Sequence, residues 1–293
     1  MSWRRPFSSV PPGADVQAAD FQFLSALIKE RSGIALSSDK TYLLENRLGP
    51  LAAQRRLNDI AALVAQMRST RDEQLIRDVV EAMTTNESLF FRDGKPFELL
   101  RTVVMPRLVA ARPKERPIRI WSAACSSGQE VYSIAITLLE EDALLAGRPF
   151  EIIATDIATA MLAKAKAGLY SQFEVQRGLP IRLLLKYFTQ RGTNWEIAQR
   201  LKAMVSFRHH NMLGECASLG RFDIVFCRNV LIYFDEATKK RVIERIAQVL
   251  APDGVLVLGA VESIIGLSTG LESVPGASGV YRPAGSGPRA AVA

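Results

Sequence analysis

The segment from Arg119 to Glu130, R-I-W-S-A-A-C-S-S-G-Q-E, constrains the fold of this chain more than any other. It runs from an apolar strand through a turn of small residues into a helix, and further along E-I-I-A-T-D ends a second apolar strand on Asp156. Doubly wound α/β sheets hold nucleoside cofactors with this pair of features, because the turn lets the backbone approach the ligand and the acid accepts hydrogen bonds from ribose hydroxyls. The sequence therefore predicts such a sheet and such a cofactor.

The glycine content of this turn indicates which cofactor fits. A dinucleotide fold uses G-x-G-x-x-G, in which the glycines permit close approach of a pyrophosphate. Here only Gly128 is a glycine, and Ala124 and Ser126 occupy neighbouring small positions. The interval from Gly128 to Asp156 also exceeds the ~20 residues typical of an NAD site. S-adenosylmethionine has no pyrophosphate and fits better. A second interpretation stays open, in which Asp156 caps the helix that begins near Ala158.

The apolar periodicity divides the chain into two folded parts. Residues 19–84 show amphipathic helical segments, in which Gly33 is suited to end the first helix and Ser38 or Asp39 to cap the second. Apolar strands and helices then alternate, which predicts a mainly parallel sheet covered on both faces. The predicted strands lie near residues 118–124, 150–155, 204–208, 222–227 and 254–258, and the predicted helices near 96–111, 129–146, 158–168 and 235–250. The remaining predicted boundaries are a disordered N terminus at 1–18, a linker at 85–95, an α/β domain at 96–283 with a small β-subdomain at about 180–204, and a disordered tail at 284–293.

The composition is that of an ordinary folded protein, since 48% of the 293 residues are hydrophobic and 23% are charged. No apolar run approaches the ~20 residues that a spanning helix needs, and the N terminus lacks the apolar segment of a secretory signal. We therefore expect a cytoplasmic protein without membrane insertion. The net charge of +7 comes without a long basic run interleaved with aromatic residues, so an acidic protein partner or a nearby anionic membrane fits at least as well as nucleic acid.

Neither the cysteines nor the histidines indicate a metal site. Cys125, Cys216 and Cys227 show no C-x-x-C spacing, so we expect buried thiols rather than a disulfide or a zinc site. His209 and His210 are adjacent, and in a strand their side chains point to opposite faces and cannot share one ion. We predict that the protein uses no metal cofactor.

Two further segments carry polar residues where a ligand could bind. In R-F-D-I-V-F-C-R-N-V-L-I-Y-F-D, the predicted strand ends before Arg228 and Asn229, and Tyr233 follows a few residues later. Ligands of open α/β sheets bind beyond the carboxyl ends of the strands. The segment N-E-S-L-F-F-R, which starts at Asn86, sets polar groups beside two adjacent phenylalanines. A solvated strand-end loop and a plain interdomain linker are the alternatives that these patterns leave open.

Taken together, these segments resemble the chemotaxis receptor methyltransferases, the CheR family of protein-glutamate O-methyltransferases. The similarity rests on the ordered stretches T-T-N-E-S-L-F-F-R, I-W-S-A-A-C-S-S-G-Q-E-V-Y-S-I-A, I-I-A-T-D-I, F-D-I-V-F-C-R-N-V-L-I-Y-F-D and G-V-L-V-L-G-A-V-E-S. It implies an α/β fold, in which a class I S-adenosylmethionine-dependent methyltransferase (Rossmann-like) sheet with an inserted small β-subdomain is preceded by an all-α N-terminal domain. The cofactor-binding residues that the resemblance implies are Asn86, Ser88, Arg92, Glu130, Asp156, Asn211, Met212, Arg228 and Asn229. The catalytic residues that it implies are Arg92, Arg228 and Tyr233.

The implied reaction transfers a methyl group from S-adenosylmethionine to glutamate carboxylates of chemoreceptors, giving glutamyl methyl esters and S-adenosylhomocysteine. The chain departs from the family at Ala260, where a histidine is usual, and in the short loop after Tyr187 and Phe188. Family members that dock a C-terminal receptor pentapeptide tend to have a longer, glycine-richer loop there, so we predict that this protein does not depend on such a tether. Two other functions stay open, a non-catalytic cofactor-binding signalling scaffold and a class I methyltransferase of another substrate.

The resemblance also implies a partner, the cytoplasmic signalling domain of chemoreceptors. Receptor methylation sites lie on helical coiled coils, and the basic side chains predicted to lie against an acidic receptor helix are Lys40, Arg47, Arg55 and Arg56. A solvated helix face is the alternative. We expect a monomer that binds no nucleic acid and that associates with membrane-bound receptor arrays through its substrate.

Overall fold

The computed structural model describes residues 16–145, 147–267 and 269–285, and the chain divides into two compact units between Thr84 and Thr85. The predictions of disordered termini fall mostly on residues 1–15 and 286–293, which lie outside the described residues. The predicted disordered N terminus extends too far, because the first helix already begins at Ala18. Val16 packs against the helical core and so holds the start of this helix in place.

The first unit is an all-α domain, as the sequence predicts. Its helices are α1 (Ala18–Ser32), α2 (Thr41–Gln54), α3 (Ile60–Thr70) and α4 (Glu73–Met83), with a 3-10 turn at Ser38–Lys40. Gly33 ends α1 with a left-handed φ of 81°, and its N–H donates to the Lys29 carbonyl, which confirms the predicted cap. The predicted cap of α2 is wrong, since neither the Ser38 nor the Asp39 side chain caps this helix. Both residues lie in the 3-10 turn, which runs directly into α2 and leaves Lys40 at the N-cap position.

This helical unit has its own hydrophobic core. Asp59 and Asp72 begin α3 and α4, because their carboxylates accept backbone N–H groups of the first turn. Side chains of the core without solvent exposure are Leu24, Ile28, Leu44, Leu48, Leu63, Leu75 and Val79. Burial of each such side chain stabilises the fold by about 1.5–3 kcal/mol.

The second unit is an α/β domain with two sheets in the described residues. Its strands are β1 (Ile118–Ala123), β2 (Phe150–Asp156), β3 (Leu169–Ser171), β4 (Phe188–Arg191), β5 (Asn194–Ile197), β6 (Val205–His209), β7 (Phe222–Cys227), β8 (Leu250–Leu258), β9 (Leu271–Ser273) and β10 (Val280–Pro283). Its helices are α5 (Lys95–Leu99), α6 (Met105–Ala111), α7 (Gln129–Glu140), α8 (Asp142–Leu145), α9 (Thr159–Ala167), α10 (Gln172–Gln176), α11 (Ile181–Tyr187), α12 (Gln199–Lys202) and α13 (Glu236–Val249).

The larger sheet has the strand order β6-β2-β1-β7-β8-β10-β9. Strands β6 to β8 in this order are parallel, which confirms the predicted parallel-dominated sheet, and β10 pairs antiparallel with both β8 and β9. The sequence pattern does not indicate β9 and β10, which are short strands at one edge. The direction of strand addition reverses between β1 and β7, and ligands of such sheets bind beyond the carboxyl ends of the strands at this switch point.

The smaller sheet, of order β3-β5-β4, is antiparallel and is inserted between α9 and β6. It begins at Leu169, earlier than the predicted 180–204, because β3 pairs with β5 from across the insertion. Only Gly192 and Thr193 connect β4 to β5. At the far end of α7, the Glu140 carboxylate accepts hydrogen bonds from three side chains of the insertion, which belong to Arg182, Lys186 and Tyr187.

Two of the predicted helices are interrupted. A π-helical turn at Leu100–Val104 separates α5 from α6 within the predicted helix at 96–111. Pro106 lies in the first turn of α6, and it lacks the N–H that an uninterrupted α-helix needs there. The predicted helix at 129–146 is divided into α7 and α8 at Glu141. None of the described helices is long and apolar enough to cross a membrane.

Charged side chains are bonded to one another at the amino ends of the strands of the larger sheet, away from the switch point. Arg112 donates to the carboxylate of Asp223 in β7 at 2.8 Å and to that of Asp253 in β8 at 2.5 Å. Asp223 also accepts the backbone N–H of Arg119 at 3.0 Å. Removing one partner of the buried Arg112–Asp223 pair should cost about 3–5 kcal/mol, because the other charge would stay buried without a partner.

Candidate cofactor and active site

The turn between β1 and α7 contains several residues with a left-handed backbone. Ala124, Ser126 and Gly128 have φ values of 59°, 50° and 95°. A Cβ at Gly128 would lie 3.0 Å from both Ala165 Cβ and the Tyr170 hydroxyl, so glycine is required at this position. The left-handed conformation costs about 1–2 kcal/mol at each of the other two residues. Such local strain is typical of binding sites.

Asp156 ends β2 and ties this turn to the sheet. Its carboxylate accepts the N–H of Ser126 at 2.7 Å and that of Ala158 at 2.8 Å. The helix α9 begins at Thr159, with Ala158 at the N-cap and no side-chain cap, so the interpretation of Asp156 as a helix cap is wrong. A carboxylate has about four acceptor positions, and these two bonds are compatible with further donors such as ribose hydroxyls.

Arg228, the first residue after β7, joins three segments of the second unit. Its Nη1 donates to the Glu130 carboxylate at 2.9 Å, and Ser122 Oγ donates to the other Glu130 oxygen, also at 2.9 Å. Its Nη2 donates to the Asp93 carboxylate at 2.7 Å and to the Arg92 carbonyl at 2.8 Å. The Arg228 side chain is only 1% exposed. These bonds hold the linker against the carboxyl ends of β1 and β7.

The linker is also anchored by packing and by the turn. Phe90 is fully buried, and its ring lies edge-on to Tyr170 and Phe188, with centroid separations of 5.0 and 5.5 Å. Ser126 Oγ donates to the Asn86 carbonyl at 2.9 Å. The linker therefore belongs to the second unit along its length, and it runs beside the turn that follows β1.

At the carboxyl ends of the strands, buried acidic side chains outnumber buried basic ones. Glu130, Asp156 and Glu262 are buried acids, and Arg228 is the buried base among them in the described part of the chain. Burial raises the pKa of Glu130 above its ordinary value, against the opposing effects of Arg228 and of the Ser122 hydroxyl. A nearby cation favours the ionised form of a carboxyl. The site therefore suits a ligand that carries positive charge.

Comparisons with known proteins identify the family. The profile described as "CheR methyltransferase, SAM binding domain" matches residues 86–280, and the profile described as "CheR methyltransferase, all-alpha domain" matches residues 19–84. The chain belongs to the CheR methyltransferase family. "Chemotaxis protein methyltransferase Cher2" of Pseudomonas putida is 40% identical over 265 residues, which cover 89% of this chain and 96% of that protein. "Chemotaxis protein methyltransferase 1" of Pseudomonas aeruginosa is 41% identical over 269 residues, which cover 90% and 97% of the two chains.

This CheR protein is an S-adenosylmethionine-dependent methyltransferase, and the site fits that cofactor. S-adenosylmethionine carries a sulfonium and an ammonium group, which match the negative excess of the buried charges. Its single ribose matches the acid at the end of β2, and the absence of a pyrophosphate matches a turn with one required glycine. No group of His, Cys, Asp and Glu side chains able to hold a metal ion occurs in the described residues. The three cysteines are buried free thiols, as predicted.

The structure places the other predicted CheR site residues on the same side of the sheet or in the linker. Asn211 and Met212 lie in the turn after β6, one residue beyond its end, and Met212 is buried. Asn229 follows Arg228 with a left-handed φ of 58°. Tyr233 is half-buried at the end of a 3-10 turn.

Of the three linker residues predicted for the site, Ser88 and Arg92 have side chains that are less directly connected to the buried acids. Ser88 is half-buried in the linker, and no hydrogen bond among the described residues joins its side chain to Glu130 or Asp156. The Arg92 carbonyl accepts a hydrogen bond from the Arg228 guanidinium. The Arg92 guanidinium itself donates to the Glu87 carbonyl at 3.3 Å. The roles predicted for these two residues and for the other site residues in cofactor binding and catalysis stay predictions.

Sequence analysis did not assign positioning roles to Ser126 and Glu262. Ser126 connects the Asn86 carbonyl to the Asp156 carboxylate. The Glu262 carboxylate accepts four backbone N–H groups at 2.7–2.9 Å, from Asn229, Val230, Leu231 and Gly259. The sequence signals for them are the small-residue turn and the acid of G-A-V-E-S, respectively. Neither signal shows which distant backbone groups the side chain reaches.

Proposed function

We propose that this CheR methyltransferase transfers the methyl group of S-adenosylmethionine to glutamate carboxylates of chemoreceptors. The products are glutamyl methyl esters and S-adenosylhomocysteine. The proposal rests on the Arg228 cluster, in which the linker, Glu130 and the end of β7 meet at the switch point of the sheet. It rests also on the relatives, which are chemotaxis protein methyltransferases.

A glutamate substrate needs no general base in this reaction. Its reference pKa is about 4.3, so the carboxylate is already ionised at neutral pH. When bound, S-adenosylmethionine supplies an electrophilic methyl group on a positively charged sulfur. The protein then has to align the carboxylate with that methyl group and to exclude water.

Arg228 is poorly placed to hold the substrate carboxylate. Charge is neutralised as the methyl group is transferred, so a tight arginine–carboxylate pair stabilises the ground state more than the transition state. The Arg228 guanidinium is also buried and already bonded to Glu130 and Asp93. We therefore assign Arg92 and Arg228 to holding the linker over the cofactor, and Tyr233 to orienting the substrate.

If Tyr233 orients the substrate, loss of its hydroxyl should lower kcat without changing the affinity for the cofactor. Loss of one hydrogen bond worth about 1.4 kcal/mol lowers a rate about tenfold. Tyr233→Phe should therefore lower kcat by about tenfold or more, with S-adenosylhomocysteine affinity unchanged in calorimetry. Tyr281→Phe, in strand β10 between β8 and β9, is the control. Equal losses in kcat and in cofactor affinity for Tyr233→Phe would refute the assignment.

The reaction itself is tested with methyl-labelled S-adenosylmethionine and chemoreceptor-containing membranes. A glutamyl methyl ester is hydrolysed by alkali, so the label should enter the receptor band and be released as methanol by base. Label that is stable to alkali would favour a methyltransferase of another substrate. Cofactor binding without any transfer of label would favour a signalling scaffold.

We further propose that the enzyme works without a receptor pentapeptide tether. The supporting observation is the connection between β4 and β5, which consists of Gly192 and Thr193 alone. Such a short turn leaves no extended glycine-rich loop to enclose an added peptide strand. Calorimetry with the C-terminal pentapeptide of a tether-bearing receptor should show no binding. An affinity in the micromolar range would overturn this part of the proposal.

The basic surface proposed for receptor docking is narrower than the sequence suggests. Arg47 Nη1 donates to the carbonyl groups of Met83 and Thr84 at 2.6 and 3.0 Å, at the end of α4. Arg55 forms ion pairs with Asp72 and Asp78. Both arginines therefore help to hold the helical unit together.

Lys40 and Arg56 are exposed, and they are the better candidates for contact with an acidic receptor helix. Reversal of both charges, Lys40→Glu with Arg56→Glu, should raise KM for the receptor while S-adenosylhomocysteine affinity stays unchanged. Arg55→Glu serves as the comparison, because loss of its bonds to aspartates should lower the melting temperature. An unchanged KM in the double variant would place the docking surface elsewhere.

A further inference from the structure

We infer that an exposed apolar rim beside the active site, formed by Ile232, Val261 and Ile265, receives apolar side chains that flank the target glutamate of the substrate. The inference rests on the proposed function, because it assigns the rim to the same substrate. The three side chains are 45%, 78% and 80% exposed. Single exposed aliphatic residues are ordinary, whereas a group of them at one place indicates an interaction surface.

Backbone hydrogen bonds bring the rim together at the carboxyl edge of the sheet. β7 and β8 are parallel neighbours with Cys227 opposite Leu258, so the loops that follow them emerge side by side. The Glu262 carboxylate then accepts the N–H of Leu231 at 2.8 Å and that of Gly259 at 2.8 Å. Ile232 follows one of the bonded residues directly, and Val261 precedes Glu262.

The rim adjoins the chain segment that carries the proposed active-site residues. Arg228 and Asn229 follow β7, and the chain then passes through the 3-10 turn to Tyr233. Glu262 bonds to three consecutive N–H groups of this stretch, beginning at Asn229. The loop after β8 is thereby held against the segment that carries the proposed substrate-orienting tyrosine.

The chemistry of the rim indicates the kind of group that it contacts. Glu262 is the one ionisable residue between Gly259 and Leu271, and its carboxylate is buried and bonded. The exposed side of this loop therefore offers aliphatic surface without charge. A substrate segment whose apolar side chains neighbour the target carboxylate would cover this surface and displace the water that contacts it. Continuity with the active site favours the substrate over a membrane or a second copy of the chain.

The test replaces the two most exposed side chains, Val261→Ser with Ile265→Ser, and measures methylation of a soluble cytoplasmic chemoreceptor fragment. Because the serine variant loses the apolar contact of both side chains, KM should rise about tenfold or more. The value of kcat and the affinity for S-adenosylhomocysteine should stay within about twofold of the wild type, because the inference assigns the rim to substrate side chains that flank the target glutamate and not to the cofactor. Val261→Ile with Ile265→Leu should keep the wild-type KM.

The insertion offers a matched control. Ile181 and Leu185 on α11 are each 69% exposed. The helix α7 starts beside the turn after β1 and ends at Glu140, which bonds to α11 about 16 Å further along the helix axis. Ile181→Ser with Leu185→Ser removes a similar exposed aliphatic area far from the rim. This variant should leave KM, kcat and the affinity for S-adenosylhomocysteine unchanged.

The outcomes separate this inference from the proposed function. Failure of the wild-type protein to form an alkali-labile ester would refute the proposed function and the inference with it. A working wild type together with an unchanged KM in the serine variant would refute the inference alone. A matching loss of cofactor affinity would assign the loop to the cofactor site instead. A change confined to binding of receptor-free vesicles or to self-association would assign it to a membrane or to a second copy, and either result overturns the inference.

Discussion

The Arg228 guanidinium donates to two carboxylates and one carbonyl that come from other segments of the chain. Its planar, forked arrangement of N–H groups can serve such separated acceptors at the same time. A lysine has one compact ammonium group and cannot reproduce this geometry. The resemblance marks Arg228 as a site residue, and its burial favours a positioning role over contact with the substrate.

Arg228→Lys should therefore loosen the linker and weaken cofactor binding. We expect S-adenosylhomocysteine affinity to fall about tenfold and the free energy of unfolding to fall by about 1–3 kcal/mol, because buried acceptors lose their donors. Calorimetry and urea unfolding measure the two effects. Arg221→Lys, exposed at the opposite end of the same strand, is the control and should change neither. Wild-type cofactor affinity in Arg228→Lys would contradict the positioning role.

Among the elements, α7 links the active site to the inserted antiparallel sheet. Its first turn carries Glu130 at the cofactor edge, and its last residue, Glu140, bonds to the insertion. The hydrogen bond from Lys186, supported by those from Tyr187 and Arg182, lowers the pKa of Glu140 from 4.5 to about 2. A carboxyl whose pKa falls on folding stabilises the protein above its unfolded pKa, and this contribution is lost as the pH falls through the folded pKa.

Glu140→Gln should therefore destabilise the protein in a pH-dependent way. At pH 7 we expect the free energy of unfolding to fall by about 1–3 kcal/mol, since the carboxylate accepts several charge-assisted bonds. The difference from the wild type should shrink as the pH is lowered from 4.5 towards 2, the range between the two pKa values. Urea unfolding at several pH values measures it, with Glu141→Gln as the neighbouring control. A difference that does not vary with pH would contradict the role of the Glu140 charge.

In the molecule as a whole, the residues predicted to bind the cofactor all lie in one of the two compact units. The predicted cofactor-binding residues, from Asn86 to Asn229, all follow the boundary at Thr84 and Thr85. The linker is bonded within this unit through Arg228 and Ser126. The first unit has a separate aliphatic core.

A fragment that starts at Thr85 should consequently retain cofactor binding. We expect its S-adenosylhomocysteine affinity to stay within about threefold of the full chain, because no predicted ligand residue is removed. Its KM for the receptor should rise, since Lys40 and Arg56 are lost. Calorimetry and methylation kinetics are the measurements, and circular dichroism checks that the fragment is folded. A folded fragment with cofactor affinity reduced by more than about tenfold would show that the helical unit contributes to the site.

The sequence alone determined the fold class and the kind of cofactor. Strand and helix periodicities are local properties, so the parallel sheet and the helical unit could be predicted from runs of neighbouring residues. The rule that ligands bind beyond the carboxyl ends of parallel strands then predicted Asp156, Arg228 and Asn229 as site residues. The family resemblance added the linker residues, because its motifs are ordered along nearly the whole folded chain.

The way in which these residues work together depends on the tertiary structure. Arg228 and Glu130 are separated by 98 positions, and Glu262 reaches N–H groups that lie more than thirty positions before it. Ion pairs with Asp72 and Asp78 likewise bind the half-buried Arg55 side chain to another helix of its own unit. Such pairings depend on which strands and helices become neighbours in space, and local periodicity does not contain that information. The turn at Arg119–Glu130 predicts the cofactor, whereas the folded chain sets the geometry that holds it.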